Sequence, residues 1–340
     1  MGRYISTLVF LLFTLTVFSQ SVSFTEINID TSYSFRALNV VNDSVAWVAG
    51  VNGKVGRSVD GGKTWKFNTV KGFEKADFRT LYAFDATTAI IANAGSPAVI
   101  LRTTNAGRDW KEVYRNTNEA AFFDGVDFWD AKSGLIYGDP IDGKMMIMAT
   151  GDAGKTWQLL PDEKKPVLEK GEASFAASGT NIRCFGASGV CIATGGTKSR
   201  LFYSADCGAH WKNIVVPMLQ GGEAQGIFSF AGLIGKEFVL VGGDYTNETL
   251  KEKHVCYYSP QKKSWITPEK GTGGYRECVE FISENALIAV GPGGADLSIN
   301  KGETWTEIKG MKKLHVIRKS RSGKLILAAG KGKIMRIEYK

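Results

Sequence analysis

One octapeptide recurs along the chain and constrains its fold more than any other feature. The clear copies share a hydroxyl residue in the first position, Asp or Asn in the third, Gly in the fifth and Trp in the last. They read SVDGGKTW (58–65), TTNAGRDW (103–110), TGDAGKTW (150–157), SADCGAHW (204–211) and SINKGETW (298–305). A degenerate copy, YSPQKKSW, covers 258–265. Self-similarity at a nearly fixed period is the signature of a repeat architecture.

The spacing of the copies identifies the repeating unit. Their final tryptophans are separated by 45, 47, 54, 54 and 40 residues, close to the roughly 40–50 residues of a four-stranded propeller blade. The octapeptide resembles the Asp-box, or BNR, repeat, which forms the turn between the third and fourth strands of a blade. The sequence therefore predicts an all-β fold.

The recurring pattern of the box has a structural interpretation. The third side chain accepts hydrogen bonds from turn amides, and the glycine supplies a positive φ. The tryptophan begins the outer strand and buries its ring against the neighbouring sheet. Two copies carry Asn, which keeps the acceptor but is not an acid. We therefore assign a structural role, and neither catalysis nor metal binding, to Asp60, Asn105, Asp152, Asp206 and Asn300.

The boxes divide the chain into blades. Six blades are predicted at 35–70, 79–114, 123–160, 174–216, 225–267 and 276–308. The tail supplies only three more strands, near 315–318, 324–329 and 333–339, and no box. An open sheet edge invites aggregation, and propellers close it with a strand from the other terminus. We therefore predict a single seven-bladed propeller over 20–340, with the alternating segment 23–29 completing the last blade.

The first 19 residues are predicted to be a cleavable signal peptide. An apolar stretch at 8–18 follows Arg3, and it is shorter than the ~20 residues of a membrane-spanning helix. We expect an exported protein, periplasmic or secreted, that is monomeric and not inserted in a membrane. We interpret the net charge of +8 as a solvated surface, and no nucleic-acid partner is expected of an exported chain.

The cysteines and glycines give no sign of a cofactor. The five cysteines lack the paired spacing of a zinc site. Cys184 and Cys191 flank a predicted turn, so a disulfide between them is one candidate in an oxidising compartment. There is no GxGxxG after a strand and no CxxCH haem motif. We expect neither a metal nor a cofactor.

Charged residues recur where the inner strands are predicted to begin. Inner strands of a propeller start at one mouth of the central channel, and the box hairpins lie at the other. The predicted polar funnel contains one side chain per blade: Arg36, Arg79, Asp124, Glu172, Glu223, Arg276 and His315. Loops at 138–143, 242–253 and 291–295 are expected on the same rim. Two interpretations stay open, a self-neutralising channel lining and a ligand site.

Two families share these features with the chain. The whole repeat array is similar to the exported propellers of the photosystem II stability and assembly factor group. That resemblance implies a non-catalytic scaffold whose funnel captures a protein segment or a small anionic ligand. We favour this interpretation over an enzymatic one.

A more distant resemblance is to sialidases. It rests on the Phe-Arg pair at 35–36, with Arg79 and Arg276 as possible companions. It implies a glycoside hydrolase acting on a glycan at the same funnel, with Glu172 or Glu223 beside Tyr275 as catalytic candidates. The residues after Arg36 depart from the Ile-Pro of the sialidase motif, and the predicted blade count differs.

Overall fold

The computed structural model of the protein describes residues 21–340, so the predicted signal peptide (1–19) lies outside the described residues. Within residues 21–340 the chain is almost entirely β-structure, with one short 3₁₀ turn at Asp162–Lys164. None of its described segments forms a helix long and apolar enough to cross a bilayer.

The strands are short, as expected of a chain rich in turn-forming boxes. In chain order they are β1 (Val22–Asn28), β2 (Phe35–Val40), β3 (Ala46–Gly50), β4 (Lys54–Ser58), β5 (Lys66–Thr69), β6 (Phe78–Ala83), β7 (Ala89–Asn93), β8 (Ala98–Thr103), β9 (Lys111–Asn116), β10 (Phe123–Phe128), β11 (Gly134–Ile141), β12 (Lys144–Thr150), β13 (Gln158–Leu159), β14 (Glu172–Ala173), β15 (Ile182–Phe185), β16 (Gly189–Ala193), β17 (Gly195–Gly196), β18 (Arg200–Ser204), β19 (Lys212–Val215), β20 (Gln225–Gly232), β21 (Phe238–Asp244), β22 (Val255–Ser259), β23 (Ser264–Ile266), β24 (Cys278–Phe281), β25 (Leu287–Gly291), β26 (Gly294–Ser298), β27 (Thr306–Glu307), β28 (Leu314–Lys319), β29 (Ile326–Gly330) and β30 (Lys333–Tyr339).

These strands form seven antiparallel sheets, which are the blades of the predicted propeller. Blades one, two and three are β2–β5, β6–β9 and β10–β13. Blade four is β15, β16, β18 and β19, blade five is β20–β23, and blade six is β24–β27. Blade seven contains β28–β30 and β1. The inner strands β2, β6, β10 and β15 contact one another in order, as do β20, β24 and β28, and β28 contacts β2, which closes the ring.

The last blade is closed by the N-terminal strand, as the sequence predicted. Strand β1 pairs antiparallel with β30 from Val22 opposite Tyr339 to Asn28 opposite Lys333. The half-buried Phe24 and Ile27 pack against the core shared by blades seven, one and six. The two ends of the chain therefore lie side by side in one sheet.

Each box forms the hairpin between the third and fourth strands of its blade. In the first box the Asp60 carboxylate accepts the amides of Lys63 and Thr64, both at 3.0 Å, and the Ser58 hydroxyl accepts the amide of Gly62 at 2.9 Å. Gly62 has φ +78°, and its carbonyl accepts the indole N–H of Trp65. Hydrogen bonds from the Thr64 hydroxyl and amide lower the pKa of Asp60 to about 2.

The core lies between blades and not within any one of them. Trp47, for example, is fully buried among apolar side chains of blades one and two, and its indole N–H donates to the Asp85 carbonyl at 3.0 Å. Because a single sheet has no second layer of its own, every blade obtains its buried surface from its neighbours.

Blade four begins later than predicted. Its inner strand is β15, whereas residues 172–173 form β14, which pairs with β17 and so joins the edge of the blade-five sheet. Between β14 and β15 the chain forms an irregular connection, residues 174–181, which we term the crossing segment. The predicted inner strand at 174 is therefore wrong, because this blade carries an insertion before its first strand.

The suggested disulfide is also wrong. Cys184 lies opposite Val190 and Cys191 lies opposite Arg183 in the β15–β16 pair. Because side chains alternate between the two faces of a sheet, the two thiols point to opposite faces. All five cysteines are free.

The closure of the ring predicts a measurable difference between two neighbouring positions. Ile27→Asp places a charge against the core of blade seven, so we expect it to lower the free energy of unfolding by about 2–3 kcal/mol. Thr25→Asp, at an exposed position of the same strand, is the matched control and should change it by less than about 0.5 kcal/mol. Urea unfolding followed by tryptophan fluorescence measures both. Equal effects at the two positions would contradict closure by β1.

Candidate functional site

The inner strands share a bulge close to their first residue. In blades one, two, three, five and seven the pairing register shifts by one residue at this point. A bulge re-aims the side chain of the extra residue. The bulged residues are Arg36, Arg79, Asp124, Phe228 and His315. Four of these five positions were predicted as funnel residues.

Blade six has the same bulge, but one residue later than the sequence suggested. Cys278 is paired with Val290, and the amide of Glu277 donates to the Val290 carbonyl at 2.8 Å. Glu277 therefore occupies the position of the extra residue. Arg276 instead occupies the buried place that Phe35 has in blade one, and its Nε donates to Asp296 at 2.7 Å. The predicted placement of Arg276 in the funnel is wrong for this reason.

The bulges surround a cavity of about 410 Å³ at the mouth of the channel, which we term the central cavity. Its charged lining residues are Arg36, Arg79, Asp139, Glu248 and Glu277. Its aromatic lining residues are Phe122, Phe175, Phe228, Tyr245 and Tyr275. Asp139, Tyr245 and Glu248 come from two of the loops that were predicted on this rim, and the third loop contributes Pro292.

Glu277 is the most connected charged group of the cavity, and it was not among the predicted funnel residues. It accepts Arg36 Nη1 at 2.9 Å, His315 Nδ1 at 2.7 Å and the Tyr275 hydroxyl at 3.2 Å. The carboxylate thus joins blades one, six and seven. Arg276 and Glu277 are adjacent in sequence just before strand β24. Only the register of the bulge shows which of the two faces the cavity.

The Arg79 guanidinium has hydrogen-bond donors that the described part of the protein does not use. Its Nε donates to Asp77 at 2.7 Å, and its side chain is 33% exposed. Its two terminal nitrogens make no hydrogen bond within residues 21–340. Arg36 directs only Nη1 to protein acceptors, Glu277 and the Ala177 carbonyl. Both guanidinium groups line the cavity and can donate to an anionic ligand.

Asp124 lies beneath Arg79 and is fully buried. Neither of its carboxyl oxygens has a hydrogen-bond partner within the described part of the chain. Burial, and then the nearby Asp139 carboxylate, raise the pKa of Asp124 well above its usual value, and Arg79 opposes this shift. Burial also raises the pKa of Asp139, whose oxygen accepts the Ser174 amide. This part of the site therefore favours protonated carboxyl groups.

Two other predicted funnel residues, Glu172 and Glu223, lie neither at a bulge nor in the lining of the cavity. Glu172 is buried in β14, where it pairs with Arg200 and accepts the Thr194 hydroxyl at 2.7 Å. It fixes the insertion in place, which is why it lies away from the axis. Glu223 is exposed in the turn before β20. Blade five contributes the apolar Phe228 at the bulge instead. Within residues 21–340 no three His, Cys, Asp or Glu side chains are arranged to hold a metal ion.

Aromatic rings form one wall of the cavity. Phe175 and Phe228 stack with centroids 4.0 Å apart, and Tyr275 packs edge-on against Phe228 at 4.7 Å. Tyr245 lies 6.3 Å from both phenylalanines and is half exposed. The cavity thus has an apolar wall beside two arginines, a combination suited to an amphipathic ligand.

The crossing segment forms the floor of the cavity. The Ser178 hydroxyl donates to the Glu277 carbonyl at 2.8 Å, and Thr180 bonds the hydroxyl of Ser229 at 2.6 Å. Both residues are buried. With the Ala177 carbonyl bonded to Arg36, the segment contacts blades one, five and six across the axis. The channel is therefore filled below the cavity.

Comparison with known proteins agrees with the resemblance that the boxes indicated. A family model described as photosynthesis system II assembly factor YCF48 matches residues 17–118, and one described as the Rax2 C-terminal beta propeller domain matches residues 209–312. Each match covers less than a third of the chain. No curated protein sequence matches the chain significantly.

Similar solved structures include two of YCF48. One, "YCF48 bound to D1 peptide", is 16% identical with a TM-score of 0.65 over 92% of this chain and 96% of that one. The other, from Cyanidioschyzon merolae, is 15% identical with a TM-score of 0.61 over 92% and 98%. A GH74 xyloglucanase from Xanthomonas campestris is 13% identical with a TM-score of 0.59 over 92% and 53%. At these identities the likeness is one of fold.

The buried Asp124 predicts a pH dependence of stability. Because its pKa is raised above the ordinary 3.8, the folded state binds the proton more tightly than the unfolded state. The resulting stabilisation is complete below pH ~4 and is lost as the pH rises through the native pKa. Asp124→Asn has no proton to lose. Its free energy of unfolding should therefore fall less between pH 4 and 8, by about 1.4 kcal/mol for each unit of pKa difference in that range.

Urea unfolding at a series of pH values measures this difference. Asp162→Asn, at an exposed carboxylate whose hydrogen bonds with Lys165 and Lys144 lower its pKa, is the control and should not reduce the fall. An Asp124→Asn protein with the wild-type pH profile would show that this carboxyl group is ionised in the folded protein.

Proposed function

We propose that the protein is an exported, non-catalytic binding module that captures a segment of another protein in the central cavity. The observation that carries the proposal is the presence of two guanidinium groups with unused donors beside an aromatic wall, in one cavity of about 410 Å³. This volume is at the lower end of ligand pockets. It suits the tip of an extended segment better than a folded domain.

The chemistry of the lining defines the segment. A side-chain or terminal carboxylate would bind to Arg79, whose terminal nitrogens are free to make a bidentate pair. An adjacent aromatic or aliphatic side chain would pack on Phe175, Phe228 and Tyr245. A small anionic or glycan ligand would use the same groups, and is the other outcome that a binding screen would reveal.

The similar structure of YCF48 with a D1 peptide supports this proposal, because a propeller of the same fold binds a protein segment. We extend to this chain the class of ligand, a peptide, and not its identity. Export and a monomeric state belong to the same proposal.

The proposal predicts that binding depends on Arg79. In a fluorescence-anisotropy screen of peptides that combine an acidic and an aromatic residue, the Arg79→Ala protein should bind about tenfold more weakly than the wild type or worse, because a charge-assisted hydrogen-bond pair is lost. Arg115→Ala is the matched control. It lies in the same blade and also pairs with a nearby carboxylate, Glu112, but it does not line the cavity. Equal losses in both variants would remove the central cavity as the binding site.

A second function, sialidase-like glycoside hydrolysis, is favoured by one observation. Tyr275 and Glu277 form a hydrogen-bonded pair at 3.2 Å beside Arg36, which is the type of pair that the sialidase resemblance requires. In this second function Glu277, and not the predicted Glu172 or Glu223, would be the partner of Tyr275. Against it, the Tyr275 hydroxyl is buried, and burial and Glu277 raise its pKa well above its usual value, which disfavours a nucleophile.

An activity assay separates the two functions. The binding-module proposal predicts no turnover of chromogenic sialosides or other glycosides by the purified protein. Turnover that falls at least about 100-fold in Glu277→Gln, with thermal stability and Arg115→Ala activity unchanged, would establish the hydrolase instead.

A further inference from the structure

A second cavity, of about 630 Å³, opens at the other end of the channel. We term it the basic cavity. Its lining includes Arg318 and Lys319 at the end of β28, whereas His315 near the start of that strand belongs to the central cavity site. At ~3.3 Å per residue the four residues from His315 to Lys319 span about 13 Å. The two cavities are therefore at opposite ends of the inner strands.

The basic cavity carries a strong excess of positive charge. Its cationic lining residues are Arg183, Arg318, Lys319, Arg321 and Lys324, and its only acidic lining residue is Glu280. Glu280 accepts Arg183 Nη2 at 3.0 Å, and Arg318 Nη1 lies 3.5 Å from the same oxygen. The lining thus contains five cationic residues and one acidic residue, and the Asp43 carboxylate beside it accepts the amides of Lys324 and Leu325.

In each of two arginines one buried nitrogen makes no hydrogen bond within residues 21–340, although Arg318 Nη1 lies within ion-pair distance of Glu280. Arg183 Nε and Arg318 Nη1 make no hydrogen bond within the described chain. Burial and the nearby Arg183 charge lower the pKa of Arg318, whereas the effect of burial on Arg183 is outweighed by the Glu280 carboxylate, which raises the pKa of Arg183. Two guanidinium groups buried so close together require anionic partners. The buried Asp127, which accepts the Cys184 amide at 2.7 Å, is the other nearby carboxyl group.

The outer part of the cavity is partly preorganised. Arg321 Nη2 donates to the Ala83 carbonyl, and its guanidinium lies over the Tyr82 ring at 4.7 Å. Ser320 and Ser322 add hydroxyl groups to the lining, and Lys319 and Lys324 stand at the rim. The lining thus combines guanidinium groups in fixed orientations with mobile lysine ammonium groups and serine hydroxyls. This combination suits a tetrahedral oxyanion that carries more than one negative charge.

We infer that the basic cavity binds a phosphate-type oxyanion between the arginines of blades four and seven and the loop 320–324. The oxyanion compensates the excess positive charge of the lining residues. The filled channel separates this site from the central cavity, so the inference stands independently of the function proposed above.

Isothermal titration calorimetry with sodium orthophosphate tests the inference, at constant ionic strength set with sodium chloride. We expect saturable 1:1 binding to the wild-type protein and binding about tenfold weaker or worse for Lys319→Ala/Lys324→Ala, because two charge-assisted contacts are removed. The matched control is Lys111→Ala/Lys212→Ala, which removes the same charge from exposed outer strands and should bind within about twofold of the wild type.

A second variant keeps the positive charge at position 318 and removes the guanidinium group. Arg318→Lys should also weaken orthophosphate binding about tenfold if the guanidinium contributes two donors, and its melting temperature establishes that it is folded. A parallel titration with O-phosphoserine distinguishes free phosphate from a phosphate ester as the ligand. Absence of saturable orthophosphate binding, or equal weakening in the Lys111/Lys212 control, would overturn the inference.

Discussion

Closure of the ring is the constraint on which the rest of this structure depends. Each blade is a single sheet, and it has no buried face until a neighbour packs on either side. Blade seven satisfies this requirement for both ends of the chain, because β1 is its outer strand while β2 begins the next blade. Its own strand β29 packs on the first box, where Leu327 fills the space beside Gly62. The contacts between the first and last strands of the described chain thus also complete the core.

The inner strands convert this repeated scaffold into a site. One bulge, placed at the same point of six inner strands, aims one side chain per blade at the axis, and the blade-to-blade identity of that side chain determines the chemistry. Glu277 accepts hydrogen bonds from Arg36 and His315 and so links three blades. Arg79 does not join this network, and its terminal nitrogens make no hydrogen bond within the described residues. Phe228 contributes to the apolar wall. The charges of the central cavity are therefore neither all paired with one another nor all exposed.

The sequence predicted the blades because the box is a local signal: a hydroxyl, a carboxamide or carboxylate and a glycine determine their turn without help from the rest of the chain. The site depended on information that is not local. The sequence analysis placed Arg276 at the axis, one residue away from Glu277, which the structure places there. Only the pairing of Cys278 with Val290 distinguishes the two. Assigning Glu172 failed because blade four carries an insertion. The interval of 54 residues before Trp211, against 45 and 47 before it, was the available sign of extra chain.

The crossing segment links parts of the ring that are not neighbours, and this has a consequence for how the protein folds. The Ala177 carbonyl meets a residue 141 positions earlier, and Ser178 meets one 99 positions later. The first contact needs blade one and the second needs blade six, so together they require blades on both sides of the crossing segment. Contacts between residues so far apart in sequence slow folding, because the entropy cost of closing the loop comes before the contact can stabilise the chain. We therefore expect the centre of the molecule to be completed after the blades on both sides of it, because its contacts draw on both halves of the chain.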